Sequence, residues 1–492
     1  MSSDPLALQA SLLPRQSTAQ SSSRLPWGAI VASTVVVMLM ALAIVSFSVR
    51  SNGMAVWSDG VGYFLYARSL VIDGNFDVTN EFEHLDTKFP SDSKALEPLR
   101  KWSSRSADGT LQTPWPHGIG LVMAPFYAAG YAVEAAVAAV QGRQANSYGV
   151  IPQAGYILGS VAFGLLGFWC LVLICRPLTG EREAYLCALA TILCGPLLFY
   201  ILFHPSMAHA PSFGLIALLT LIWIRAWQKG TTYFSMIALG VVLGLAATVR
   251  YQNALFAILP AALGLWDIKR DGFGVALRRA AAAAVACLVP LVLLAGSHVN
   301  VDSRGIEGGV TVAQYPVNFA SPYFFEVLFS CRHGAFHWSP VLALGVLGLL
   351  WTLFAKPKVQ LVTPRTWAAV LLATFAAHVY LMGGLGLSTV AYVADGMSSG
   401  WLHHWDDAPS FGMRYLSECA PIFAVGLACL MYATRRYLHV ALWMIVLGVL
   451  AAWNGLLVVA YGMETITRSG CLPYSDMLSG FASILGKVLA RF

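Results

Sequence analysis

One carboxylate, three arginines and a few imidazoles stand out in a chain with few polar side chains. Asp59 sits in Met54-Ala-Val-Trp-Ser-Asp59-Gly60-Val-Gly-Tyr63-Phe-Leu-Tyr66-Ala-Arg68-Ser-Leu, soon after an apolar run. A carboxylate at the edge of lipid loses hydration, which raises its pKa and makes it a better proton acceptor; the plainer reading is a helix N-cap. Arg250 occupies the turn Val249-Arg250-Tyr251-Gln252. Arg332 and His333 lie in Phe329-Ser-Cys-Arg332-His333-Gly-Ala-Phe-His337-Trp-Ser-Pro340, and Arg414 in Ser410-Phe-Gly412-Met-Arg414-Tyr415. A planar guanidinium that never deprotonates matches phosphate oxygens, although an arginine just outside a membrane can also snorkel to lipid headgroups. His204 and His209, in Phe203-His204-Pro-Ser-Met-Ala-His209-Ala-Pro-Ser-Phe213, could bind phosphate, hold an acceptor or cap a helix. Tyr63 and His117 complete the set of candidate binding residues.

The elements that position these groups must lie in a bilayer. The chain has 492 residues, 58% of them hydrophobic and 11% charged, with a mean hydropathy of +0.67. An ordinary soluble chain carries about 25% charged residues. Soluble enzymes, disordered chains and charge-driven nucleic-acid binders are excluded, and the net charge of +6 reads as topology. Runs long enough to span are 27–49, 117–141, 151–175, 184–203, 211–227, 233–249, 252–267, 280–299, 339–355, 366–385, 419–434 and 438–461. The predicted fold is an all-α polytopic membrane protein.

Short basic loops set its orientation. Arg176 with Arg182, Arg225 with Lys229, the group Lys269, Arg270, Arg278 and Arg279, the group Lys356, Lys358 and Arg365, and Arg435 with Arg436 all belong in the cytoplasm. Alternation through every run puts them outside; removing one early run puts them inside. Segment 117–141 opens on Trp115-Pro116-His117-Gly118, contains Pro125 and carries Glu134, whose ionised side chain is costly at the bilayer centre. It is therefore predicted as a membrane-surface or re-entrant element, leaving about 11 transmembrane helices. Residues 1–26 are then a disordered cytoplasmic tail, 27–461 the transmembrane domain, and 462–492 an outer tail whose 478–492 stretch forms an interfacial amphipathic helix. The outer loops are 50–150, 204–210, 300–338 and 386–418, and every histidine except His439 falls on or toward that side. Residues 60–72, with Val61, Phe64, Leu65 and Ile72 at helical spacing, are expected along the membrane surface. Among nine cysteines, Cys331 and Cys471 alone lie in clearly polar segments and are a candidate disulfide.

These stretches resemble the GT-C glycosyltransferases, polytopic enzymes that use polyprenyl-phosphate sugars. The pattern is a first span, then an acidic residue opening a juxtamembrane helix with Tyr/Leu/Ala/Arg-Ser, then Pro116-His-Gly118 before Ala124-Pro-Phe-Tyr127. More narrowly, it is similar to the bacterial relatives of protein mannosyltransferases, to aminoarabinose transferases and to rhizobial lipid A galacturonosyltransferases. The stretches around Arg332 and Arg414 resemble Arg-His-Gly-x-Phe-x-Trp-x-Pro and Ser-Phe-Gly-x-Arg-Tyr stretches of the bacterial branch. The chain departs from the pattern where His209 stands in place of a second acidic residue, and where Asp59-Gly60 replaces an acidic pair. The resemblance implies a transferase in the bacterial inner membrane with its site facing the periplasm. Its donor would be a polyprenyl-phosphate sugar, and its acceptor a glycan, lipid or protein. Asp59 would be the general base of an inverting transfer. Arg414 and Arg332, with Arg250, would hold the departing phosphate, and His204 or His209 would orient donor or acceptor. The scheme requires no cofactor and no metal, although His403, His404, Asp406 and Asp407 are metal-capable by type. A lipid-linked-sugar translocator would use the same outer cavity without bond cleavage. Spans nearly free of ionisable residues, with no half-to-half repeat, disfavour it. An acyltransferase would need a membrane-embedded histidine, for which His378 is the candidate.

Overall fold

The structure is a computed structural model that describes residues 27–295 (except 92, 94 and 107), 310–312, 315–317, 323–355, 364–384 and 410–489. The tail 1–26, the candidates His403, His404, Asp406 and Asp407, and most of the outer loops 300–338 and 386–418 lie outside the described residues. Helices follow the apolar runs: α1 (Trp27–Asn52), α2 (Asp59–Ile72), α3 (Thr79–Lys88), α4 (Gly118–Val140), α5 (Val150–Thr179), α6 (Glu181–Leu193), α7 (His209–Lys229), α8 (Tyr233–Val249), α9 (Ile258–Asp271), α10 (Phe273–Ala295), α11 (Pro340–Phe354), α12 (Arg365–Gly384), α13 (Ala420–Thr434), α14 (Val440–Gly462) and α15 (Tyr474–Leu489). Strand is confined, among the described residues, to two short antiparallel pairs, 104–105 with 111–112 and 310–312 with 315–317. Among the described residues, seven helices are long and apolar enough to cross a membrane: α4, α5, α7, α10, α12, α14 and α13 with the turn preceding it. Shorter apolar helices accompany them, and the protein is a multi-pass membrane protein.

Two expected spans are broken, each for a visible reason. Run 184–203 stops at Leu193 because Pro196 has no N–H to continue the ladder. The carbonyls of Leu193 and Gly195 accept instead from the Asn454 side chain of α14, at 2.8 and 2.9 Å. The chain then makes a π turn, Phe199–Phe203, that delivers His204. Run 252–267 starts as a 3₁₀ turn, Tyr251–Ala257, before α9. For segment 117–141 the structure removes the re-entrant alternative. α4 runs unbroken through Pro125, so it is not a re-entrant hairpin. Glu134, the residue that argued against a span, accepts from Arg143 at 2.6 Å and from the Asn146 backbone at 3.0 Å, so its charge is met within the protein.

α2, expected along the membrane surface, is packed into the protein, with Gly60 through Ser69 all buried. Close glycine contacts enclose it: a Cβ on Gly62 would meet the Trp115 ring at 2.4 Å, and one on Gly120 of α4 would meet Tyr66 at 2.6 Å. α11 and α13 approach until a Cβ on Gly348 would sit 1.8 Å from the Gly426 carbonyl, the small-residue packing that brings membrane helices together. The candidate disulfide is present: Cys331 is bonded to Cys471. The amphipathic C-terminal helix also forms, as α15, with Phe481 edge-on to Trp453 of α14.

The first loop carries an acidic stretch, Asp73, Asp77, Glu81, Glu83 and Asp86, and part of it is buried. Arg68 of α2 donates to Asp73 and, at 2.8 Å, to the fully buried Glu81 of α3. Burial outweighs these bonds and pushes Glu81 up to about 7. A carboxyl that binds its proton more tightly folded than unfolded makes stability fall as pH rises from about 4.5 to about 7, by about 3 kcal/mol. The apparent Tm in detergent should decline across that window, and Glu81→Gln should flatten the decline. An unchanged slope in the variant would show that Glu81 is not the titrating group.

Candidate active site

The residues with chemical potential converge where α2, α7, α8 and α13 meet. α7 and α8 form an antiparallel pair, so the start of one (His209) and the end of the other (Arg250) share an end of the bundle. Asp59 is the first residue of α2, with Ser58 rather than Asp59 at the cap position and no side-chain cap bond there. Arg414 leads the 3₁₀ turn Arg414–Cys419 that enters α13. The chain reverses just before it at Gly412, whose φ of +57° favours glycine.

Arg414 Nη1 lies 3.7 Å from Asp59 Oδ2, an ion pair too long for a hydrogen bond. Its Nη2 donates to the Tyr415 hydroxyl at 3.1 Å. The Tyr415 ring also carries Arg250, whose guanidinium carbon is 5.3 Å from the ring centroid, while that of Arg414 is 5.1 Å away. One tyrosine thus spaces two like charges. Behind this layer Arg250 Nε is 3.0 Å from Glu418 Oε1, and Glu418 is fully buried. Arg250 Nη1 lies 3.4 Å from His209 Nε2. Arginine can only donate, so Nε2 is bare and the neutral ring turns Nδ1 toward Glu418, at 3.6 Å. With Asp59 and Glu418 set against Arg250 and Arg414, the cluster balances its formal charges.

Burial raises the Asp59 pKa, and the charges of Arg414 and Arg250 pull it back in part. Tyr63, one turn along α2, is raised by burial and by Asp59, so its phenol stays protonated and able to donate. His204 is held down at about 3 chiefly by burial. Its ring lies flat on Trp57, with centroids 3.7 Å apart and planes 2° from parallel.

The remaining sequence candidates lie at varied remove. His333 is buried against Trp338, with neither ring nitrogen bonded among the described residues. Burial, together with the charges of Arg414 and Arg332, lowers it to about 3. The adjacent Arg332 carbonyl accepts from Trp338 Nε1 at 3.2 Å. His117 packs on Tyr66 and Phe76, a turn further along α2 than Tyr63. His378 donates through Nδ1 to the Thr374 carbonyl one turn back on α12, at 2.8 Å, and packs at a tilt against Phe256. Sequence reasoning missed Glu418, whose signal was a carboxylate at the lip of an apolar run, one turn after Arg414. Among the described residues no three His, Cys, Asp or Glu side chains gather as a metal site.

No family model matches the chain, and no curated protein matches it. Among solved structures it is similar to ArnT from Cupriavidus metallidurans in the apo state, with a TM-score of 0.45 and 13% identity over 94% of this chain and 76% of ArnT. It is likewise similar to the same protein bound to undecaprenyl phosphate, with a TM-score of 0.44 and 14% identity over 93% and 75% of the two chains. The apo oligosaccharyltransferase of Archaeoglobus fulgidus gives a TM-score of 0.43 and 12% identity, over 92% of this chain and 56% of that one. At such identity these are likenesses of overall layout, and the case for chemistry stands on the residues.

Proposed function

We propose that the chain is a membrane glycosyltransferase that moves a sugar from polyprenyl phosphate to an acceptor hydroxyl, with inversion at the anomeric carbon. The observation that carries this reading is the Asp59–Arg414 pair, a partly desolvated base beside a fixed cation at one end of a helix bundle. The acceptor oxygen attacks the anomeric carbon as the bond from that carbon to the phosphate oxygen breaks. The acceptor proton passes to Asp59, and the bond electrons leave with the polyprenyl phosphate. Asp59 loses its charge just as the phosphate gains one, so Arg414 passes from one anion to the other without moving far. Arg250, braced by Glu418, supplies the second positive charge, and Arg332 a third at the rim. Tyr63 donates a hydrogen bond within the site, and His209 fixes the orientation of Arg250. His117 and His333 are proposed to line the acceptor and donor approaches. The scheme uses no cofactor, and its place is the periplasmic face of a bacterial inner membrane.

The test uses purified protein in nanodiscs, a panel of undecaprenyl-phosphate monosaccharides (a neutral hexose, a hexuronic acid, an amino sugar) and an envelope extract as acceptor. One donor should yield undecaprenyl phosphate and a glycosylated acceptor together. Movement of labelled donor across vesicles with no product formed would replace this reading with the translocator.

A further inference from the structure

Three contacts grip the backbone on either side of Asp59. The flat Trp57–His204 stack is the first, and His204 Nε2 also sits 3.3 Å from the Trp57 carbonyl. A carbonyl can only accept, so this nitrogen carries the proton and the ring binds both the side chain and the backbone of one residue. The second is Ser58, at φ +58° and ψ −144°, a region that residues with a Cβ enter only when their surroundings force them. The third is Gly60, where a Cβ would meet Ser206 Oγ at 2.2 Å, so the Asp59 turn and the 204–206 segment touch with no room for a side chain. By contrast, the Asp59 carboxylate makes no hydrogen bond among the described residues that fixes its tip; its nearest charged partner is Arg414, 3.7 Å away.

We infer that the Trp57–His204 stack is a positioning device for the base: it holds Trp57–Gly60 in a strained turn and so aims the Asp59 carboxylate at the acceptor hydroxyl. His204 acts through the loop and carries no charge toward the phosphate. Its burial keeps the ring neutral, which suits flat stacking rather than anion binding. The inference rests on the proposed role of Asp59.

The test compares His204→Ala, His204→Phe and Trp57→Ala in the nanodisc assay, following undecaprenyl phosphate release from whichever panel donor is used. Misplacing a catalytic group by about 1 Å costs about a hundredfold, so both alanine variants should lose kcat on that scale while the donor KM stays within about threefold. The acid limb of the pH profile should also move to lower pH, because a loosened turn lets water reach Asp59 while Arg414, Arg250 and Tyr63 still face it. His204→Phe restores a flat partner without an imidazole and should recover most of kcat and the original limb. A phenylalanine variant as impaired as the alanine one, with a raised donor KM and an unmoved limb, would overturn the inference and make His204 a substrate ligand. Should His204→Ala not fold, His204→Phe against wild type decides alone. Asp59→Asn runs alongside: normal turnover there removes the base reading itself, whereas a dead Asp59→Asn with a normal His204→Ala removes only the stack's role.

Discussion

Asp59→Asn should lower kcat by about a thousandfold or more and yet bind undecaprenyl phosphate more tightly than wild type. The loss follows from removing the proton acceptor, a contribution typically of 10² to 10⁴. The gain follows from the resting electrostatics. Arg414 faces the Asp59 carboxylate at 3.7 Å, so in the unmodified protein a lipid phosphate must compete with an anion already in place. A neutral amide removes the competitor, and a charge-assisted contact to phosphate should then tighten binding about tenfold, close to 1.4 kcal/mol. Calorimetric titration of undecaprenyl phosphate into both proteins reads the second effect with no need to know the sugar. Weaker binding in the variant would mean that Asp59 and Arg414 do not trade partners during transfer.

Glu418→Ala should be among the most destabilising single changes in the chain. The carboxylate is fully buried and 3.0 Å from Arg250. Removing it leaves a buried cation without its nearest carboxylate, and breaking such a pair from one side typically costs about 3–5 kcal/mol. The variant should show a lower apparent Tm and a smaller folded fraction on size exclusion. Replacing both partners, Arg250→Met with Glu418→Leu, should return much of the stability but none of the transfer, since the second phosphate cation is gone. A stable Glu418→Ala would show that Arg250 finds its counter-charge elsewhere.

The sequence carried the helices well because each bilayer-length apolar run has few ways to satisfy its backbone. It failed where a distant residue decided the outcome. Pro196 was visible, but that Asn454, some 250 residues later, would catch the carbonyls freed at the break was not. Asp59, Arg250, His209 and Arg414 stood out as polar groups beside apolar runs, and the fold brings them together. Glu418 shared that signature and was passed over because its neighbours on the C-terminal side read as span. The spacing of residues 60–72 fits a helix along the membrane surface, but the close approaches that bury it against the protein, such as Gly62 to Trp115, are not legible in it. Trp57 gave no signal at all: its stack on His204 joins segments almost 150 residues apart.

The bond between Cys331 and Cys471 closes a ring of the chain that contains α11 through α14. The second sulfur is made after all four helices, so the thiol at 331 waits through the synthesis of every helix between them. Closure therefore follows the synthesis of α14 and cannot mark any earlier stage. A chain stalled before Cys471 would carry an unpaired thiol beside Arg332, a chemical flag by which it differs from chains that have passed that point.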